Sequence, residues 1–185
     1  MLHEMGGAFV IDADDIARRV QSPGGSAYDE IVRVFGPGVV RPDGALDRRA
    51  LAAEVFSRPE RLEQLNRIVH PKVREAELEL LDSHRGDGLV VLNVPLLLEN
   101  GMESLVDRVV VVTVGDQARK ARLWERSRMP AEEVDRRLAA QMPQQEKVRR
   151  AHDVIDNDGP VEETRRQVRE LLERLGIAPG APQDV

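Results

Sequence analysis

The chain has 185 residues, 41% of them hydrophobic and 32% charged, with aromatics at 3%, no cysteine and a formal net charge of −6. That composition suits a globular protein whose core is made of Leu, Val, Ile and Ala. It excludes disulfides, thiolate metal sites and a cysteine nucleophile, and the acidic balance argues against non-specific nucleic-acid binding. No apolar run approaches a membrane span and no charged-then-apolar leader opens the chain, so the expectation is a cytoplasmic protein without membrane attachment.

In chain order, four short runs read as strands: 8–11, 89–94, 109–114 and 153–156. The middle two are continuously apolar, which predicts strands covered on both faces. Helical patterns fill the intervals. Residues 14–21 follow the first strand. Residues 26–35 start at Ser26, the expected N-cap, and 48–57 have Asp47 as theirs. Residues 59–84 form a long helix with an expected bend at His70-Pro71. Residues 116–126, 131–140 and 143–151 follow the third strand, and 161–175 close the fold. Strand–helix alternation predicts an α/β fold with a mainly parallel sheet. Residues 21–84 read as a helical insertion, and the Gly/Pro-rich tail 176–185 as frayed.

In a parallel sheet, ligands bind beyond the carboxyl ends of the strands. The run AFVI stops there at Asp12, Asp14 and Asp15. Asp12 and Asp14 share a face if the strand extends that far, and Asp15 fits a helix cap or first turn. All three could be helix-start carboxylates. The functional alternative is a carboxylate that deprotonates a hydroxyl or holds a metal ion. Pro95 ends the second buried strand, and Glu99 just beyond it either borders the same edge or is merely solvated. Arg119, Arg122 and Arg126 recur at helical spacing. They make either a solvated basic face or a phosphate-covering lid that turns at Met129-Pro130. In DVIDNDG, turn chemistry accounts for Asn157, Asp158 and Gly159, though an Asn at that edge could also read a base or ribose. His3, His84 and His152 show no partner pattern, and no metal-ligand His spacing occurs, so no residue is assigned to a metal.

Together, VIDADDIAR, FGPGVVRPDGALDRRALAAEVF, LNRIVHPKVR, VPLLLENG, AAQMPQQEK and DVIDNDG resemble the dephospho-coenzyme A kinase family, within the P-loop kinases of small metabolites. The resemblance covers nearly the whole chain. It implies a three-layer P-loop-kinase-like fold in one domain over 1–185, with a core of 1–20, 85–126 and 141–175, an acceptor-side insertion at 21–84 and a lid at 127–140. It implies ATP-dependent phosphorylation of the ribose 3′-hydroxyl of dephospho-CoA, with Mg²⁺, by a protein favoured to be monomeric. By position, Asp14 falls on the carboxylate that orients and deprotonates the hydroxyl, with Asp12 the second choice. His70, Pro95, Leu96 and Glu99 fall on the acceptor side. Arg122 and Arg126 fall in the phosphate-closing lid region and Asn157 beside the adenine. One departure stands out: no strand followed by G-x-x-x-x-G-K-[ST] occurs. The expectation is therefore that about twenty residues of the family pattern, including its central first strand, precede Met1 in a longer protein. As printed, the chain should grip ATP weakly and turn over slowly. The alternatives are another nucleoside or nucleotide kinase, and a non-catalytic protein that binds dephospho-CoA or a nucleotide.

Overall fold

The computed structural model describes residues 1–56 and 58–177. Ser57 and residues 178–185, most of the expected frayed tail, lie outside the described residues. The elements in order are α1 (Leu2–Gly6), β1 (Phe9–Asp12), α2 (Ala13–Val20), α3 (Tyr28–Phe35), α4 (Arg48–Phe56), α5 (Pro59–Ser83), β2 (Val90–Asn93), β3 (Val110–Thr113), α6 (Asp116–Ser127), α7 (Ala131–Ala139), α8 (Gln144–Arg150), β4 (Asp153–Asp156) and α9 (Val161–Arg174). This is the α/β class expected. Its sheet residues are divided between two two-stranded sheets, β1–β2 and β3–β4. The chain forms two compact units, Val10–Val94 and Met1–Phe9 with Pro95 onward.

The Val10–Val94 unit is built from helical stripes. Ile16 and Val20 of α2, Ile31 and Phe35 of α3, and Ile68 and Val69 of α5 meet in one buried cluster with Ile11, Ala27, Val39, Leu46 and Leu51. The i, i+4 spacing puts the pairs of α2 and α3 each on one face. Ser26 does not cap α3. The N-cap is Ala27, without a side-chain bond, because Ser26 is caught in a tight turn in which Gly25 N donates to Ser22 O and Ala27 N to Val20 O. That turn presses Gly25 onto the end of α2, where a Cβ would lie 2.4 Å from Arg19 O. Asp47 does cap α4, its Oδ1 accepting from Arg49 N at 2.9 Å and Ala50 N at 3.0 Å. Helix α5 runs continuously through Pro71, whose ring leaves the Arg67 carbonyl without its intrahelical donor.

In the other unit, β3 and β4 pair in parallel with Val110 opposite Asp153 and Thr113 opposite Asp156. Helix α9 covers β4 with Thr164, Val168, Leu171 and Leu172. Gly176, at φ 68°, ends it in a Schellman arrangement: Gly176 N donates to Glu173 O, and Ile177 N to Leu172 O at 3.0 Å. The expectation that the apolar strands are covered on both faces needs correction. Val112 of β3 is 58% exposed, because the packed helices lie over only part of that strand's faces. His3 and His152 have structural bonds, to Ala8 O and from Val109 N.

Candidate active site

Strand β1 ends at Asp12, so the extended segment that would set Asp12 and Asp14 on one face stops one residue too early. Asp12, not Asp15, is the N-cap of α2. Its Oδ1 accepts from Asp14 N at 2.9 Å and Asp15 N at 3.2 Å, and its Oδ2 accepts from Asn93 Nδ2 at 2.7 Å. Partial burial works to raise the Asp12 carboxyl; the bonds from Asn93 and the two amides, with Arg18, outweigh it and hold it below its ordinary value. Asp15 pairs with Arg18. The Asp14 carboxylate is exposed and makes no hydrogen bond or ion pair with any described residue. It therefore stands at the positive end of α2 with its lone pairs free. Asn93, at the end of β2, was invisible to sequence reasoning. Its only signal was a polar residue ending an apolar run. His70 is exposed on α5.

In the other unit, the loops that follow β3 and β4 are tied together. Gly115 N donates to Asp158 Oδ1 at 2.7 Å, and a Cβ at Gly115 would sit 3.1 Å from that same oxygen. Arg122 Nη1 donates to Asn157 O at 2.6 Å and Nη2 to Asp158 O at 3.3 Å. Asn157 N donates to Thr113 O, and Asn157 Oδ1 accepts from Thr164 Oγ1 at 3.0 Å. The expected arginine stripe thus splits by task. Arg119 donates to Gln144 Oε1 at 2.6 Å and to Val114 O at 3.1 Å. Arg122 holds the 157–158 carbonyls. Arg126 is exposed and has no partner among the described residues. Helices α6 and α7 pack against each other across the turn at Met129-Pro130. Lys120 pairs with Asp135 at 2.6 Å, Val134 is buried, and Arg128, at φ 55°, ends α6.

Pro95 and Leu96 are exposed after β2. Glu99 is not solvated: it meets Lys147 Nζ at 2.7 Å, both side chains being 18% exposed, and its Oε1 also accepts from Met142 N at 3.0 Å. Burial pushes its carboxyl up, and the Lys147 bond with the backbone donors outweighs that, leaving it below its usual value. One turn along α8, Arg150 pairs with Glu103. These contacts fasten the 95–105 loop to α8 along its length and to Met142 just before it. Lys147 and Gln144 both lie in AAQMPQQEK, so the motif was in view although its partners were not.

A family model described as dephospho-CoA kinase matches residues 1–163. A dephospho-CoA kinase of Symbiobacterium thermophilum is 51% identical over 170 residues, covering 91% of this chain and 71% of the relative. One from Geobacillus kaustophilus is 47% identical over 177 residues, covering 94% and 87%. A solved Thermus thermophilus structure superposes with a TM-score of 0.73 at 40% identity, covering 91% of this chain and 85% of that one. The solved dephospho-CoA kinase of Campylobacter jejuni, 24% identical with the same two coverages, gives 0.64 and supports the fold. This chain belongs to the dephospho-CoA kinase family.

Proposed function

We propose that the protein transfers the γ-phosphoryl group of ATP to the ribose 3′-hydroxyl of dephospho-CoA, giving coenzyme A and ADP. Asp14 accepts the hydroxyl proton as the oxygen bonds to the γ-phosphorus. The bond from that phosphorus to the bridging oxygen breaks, and ADP leaves with the electron pair. The observation that carries the assignment is the contrast at the start of α2: both Asp12 oxygens are engaged, while the Asp14 carboxylate has no partner among the described residues. A base must have a lone pair free to take the proton. Asp12 then acts as the cap that fixes the turn carrying Asp14.

On the donor side, Arg126 is the phosphate contact, since of Arg119, Arg122 and Arg126 it is the one whose guanidinium has no partner among the described residues. Arg122 serves the base-side loop through its carbonyls, and the Asn157 amide group is left to donate to base or ribose. His70, Pro95 and Leu96 remain the acceptor-side candidates that the family's motifs indicate, while Glu99 acts at one remove through α8. Among the described residues no cluster of three or more His, Asp or Glu could hold a metal. Mg²⁺ fits as an ion carried on the triphosphate, with phosphate and water oxygens as ligands, where it would neutralise charge on the transferring group. No helix among the described residues is long and apolar enough to cross a membrane, in keeping with work in the cytoplasm on dissolved substrates.

The test is turnover of dephospho-CoA with ATP in the intact protein, followed as ADP release. Asp14→Asn should lower kcat by roughly 10²–10⁴ with a smaller change in KM. Near-normal turnover in that variant would remove Asp14 from the chemistry. Phosphorylation of adenosine or a nucleoside monophosphate in preference to dephospho-CoA would favour the broader nucleotide-kinase reading.

A further inference from the structure

Beside α2 lies a small cavity of about 80 Å³, lined by Arg18, Gln21 and Ser22 from α2 and the turn after it, and by Leu46, Arg48 and Leu51 around the start of α4. Its floor is apolar and buried, Leu46 being 8% and Leu51 5% exposed. Its rim carries two guanidinium groups. Arg48 is exposed and has no partner among the described residues. Among the described residues Arg18 makes one ion pair, with Asp15, in which the side chains are 58% and 71% exposed, and its charge also helps hold the Asp12 carboxyl low; a surface pair of this kind is displaced by a better anion at little cost. The carboxylate nearest in sequence to Arg48, Asp47, is already turned to the amides of α4. Among the described residues no carboxylate pairs with Arg48, and the one paired with Arg18 is a surface group.

Its position on α2 gives it meaning. At about 100° per residue, Asp14 and Arg18 share one face of α2, opposite the buried pair Ile16 and Val20, and Gln21 and Ser22 follow at its C-terminal end. Arg18 stands four residues beyond Asp14, about 6 Å along the axis. A ribose spans a comparable distance from its 3′-oxygen to its 5′-phosphorus.

We propose that the Arg18–Arg48 cavity receives the diphosphate bridge of the acceptor, the anionic group that joins its adenosine to its pantetheine arm. This rests on reading Asp14 as the base for the 3′-hydroxyl. With that hydroxyl at Asp14, the 5′-diphosphate falls one helical turn along, where two forked cations match its oxygens. The cavity then selects acceptors. A nucleoside lacking the diphosphate forgoes this contact, although it presents the same hydroxyl.

The experiment is calorimetric titration of the intact protein, without ATP, using dephospho-CoA and adenosine as probes. Arg18→Gln and Arg48→Gln should each weaken dephospho-CoA binding by about tenfold or more, the scale of a charge-assisted bond, and leave adenosine binding within about twofold. Arg48→Lys should recover part of the loss. Unchanged dephospho-CoA binding in both glutamine variants overturns the proposal while leaving the kinase reading intact. Equal weakening of both probes overturns it too, since that reports a damaged fold rather than a lost diphosphate contact. A wild-type protein that does not bind dephospho-CoA removes the underlying reading and the proposal with it.

Discussion

Replacing Glu99 by glutamine removes one charge from a pair held at 2.7 Å with both side chains 18% exposed. Two unit charges at that separation attract by about 6 kcal/mol at an effective dielectric of about 20. Much of this is offset by the water each group gave up. The net coupling between Glu99 and Lys147 should be about 1–3 kcal/mol. Glutamine retains an acceptor for Met142 N, so Glu99→Gln should cost about 2 kcal/mol, or about 4–8 °C in Tm for a chain of this size. The assay is a double-mutant cycle with Lys147→Met, by urea unfolding. Trp124, the sole tryptophan, lies on α6 of the same unit and reports the transition by fluorescence. The pH dependence supplies an independent check. The Glu99 carboxyl is held below its ordinary value in the folded state, and an unfolded glutamate titrates near about 4.3. The stabilisation is therefore full above about pH 5 and is lost as pH falls through the folded value. The gap between wild type and Glu99→Gln should close in acid. A coupling energy under about 0.3 kcal/mol, or a gap indifferent to pH, would refute the reasoning.

Two further perturbations test the Val10–Val94 unit. Gly25→Ala would bring a Cβ within 2.4 Å of Arg19 O and 2.5 Å of Val20 O. Backbone must move, so the loss should be at least about 2 kcal/mol, read by far-UV circular dichroism during urea unfolding. Asp12→Ala removes the α2 cap and the acceptor for Asn93, for a loss of about 2 kcal/mol. Because the Asp12 carboxyl is held below its ordinary value, that loss should be largest above about pH 5 and fade as pH falls, as thermal melts of the two proteins across that range would reveal.

Element types were legible from sequence because their causes are local. The i, i+4 stripe of Ile16 and Val20, the Asp47 cap and the apolar run of β3 each lie within a few residues, and the structure has them within about two positions of the expected bounds. The Ser26 reading failed for an equally local reason: Gly25 permitted a tighter turn than the cap rule allowed for.

The residues that decide what each functional group can do lie far apart along the chain. Asn93 reaches Asp12 across 81 positions, Glu99 meets Met142 across 43, and Arg122 finds the Asn157 carbonyl across 35. The sequence by itself determined that a carboxylate cluster opens α2 and that an arginine stripe follows β3. It also carried the family's motifs in order. Only the tertiary structure decided that both Asp12 oxygens are engaged while Asp14 has no partner among the described residues, that Arg122 is spent on a loop while Arg126 is not, and that Arg18 and Arg48 line one cavity. Hydrogen-bond capacity is a property of a side chain, but whether it is already used depends on what folding brings within about 3 Å of it.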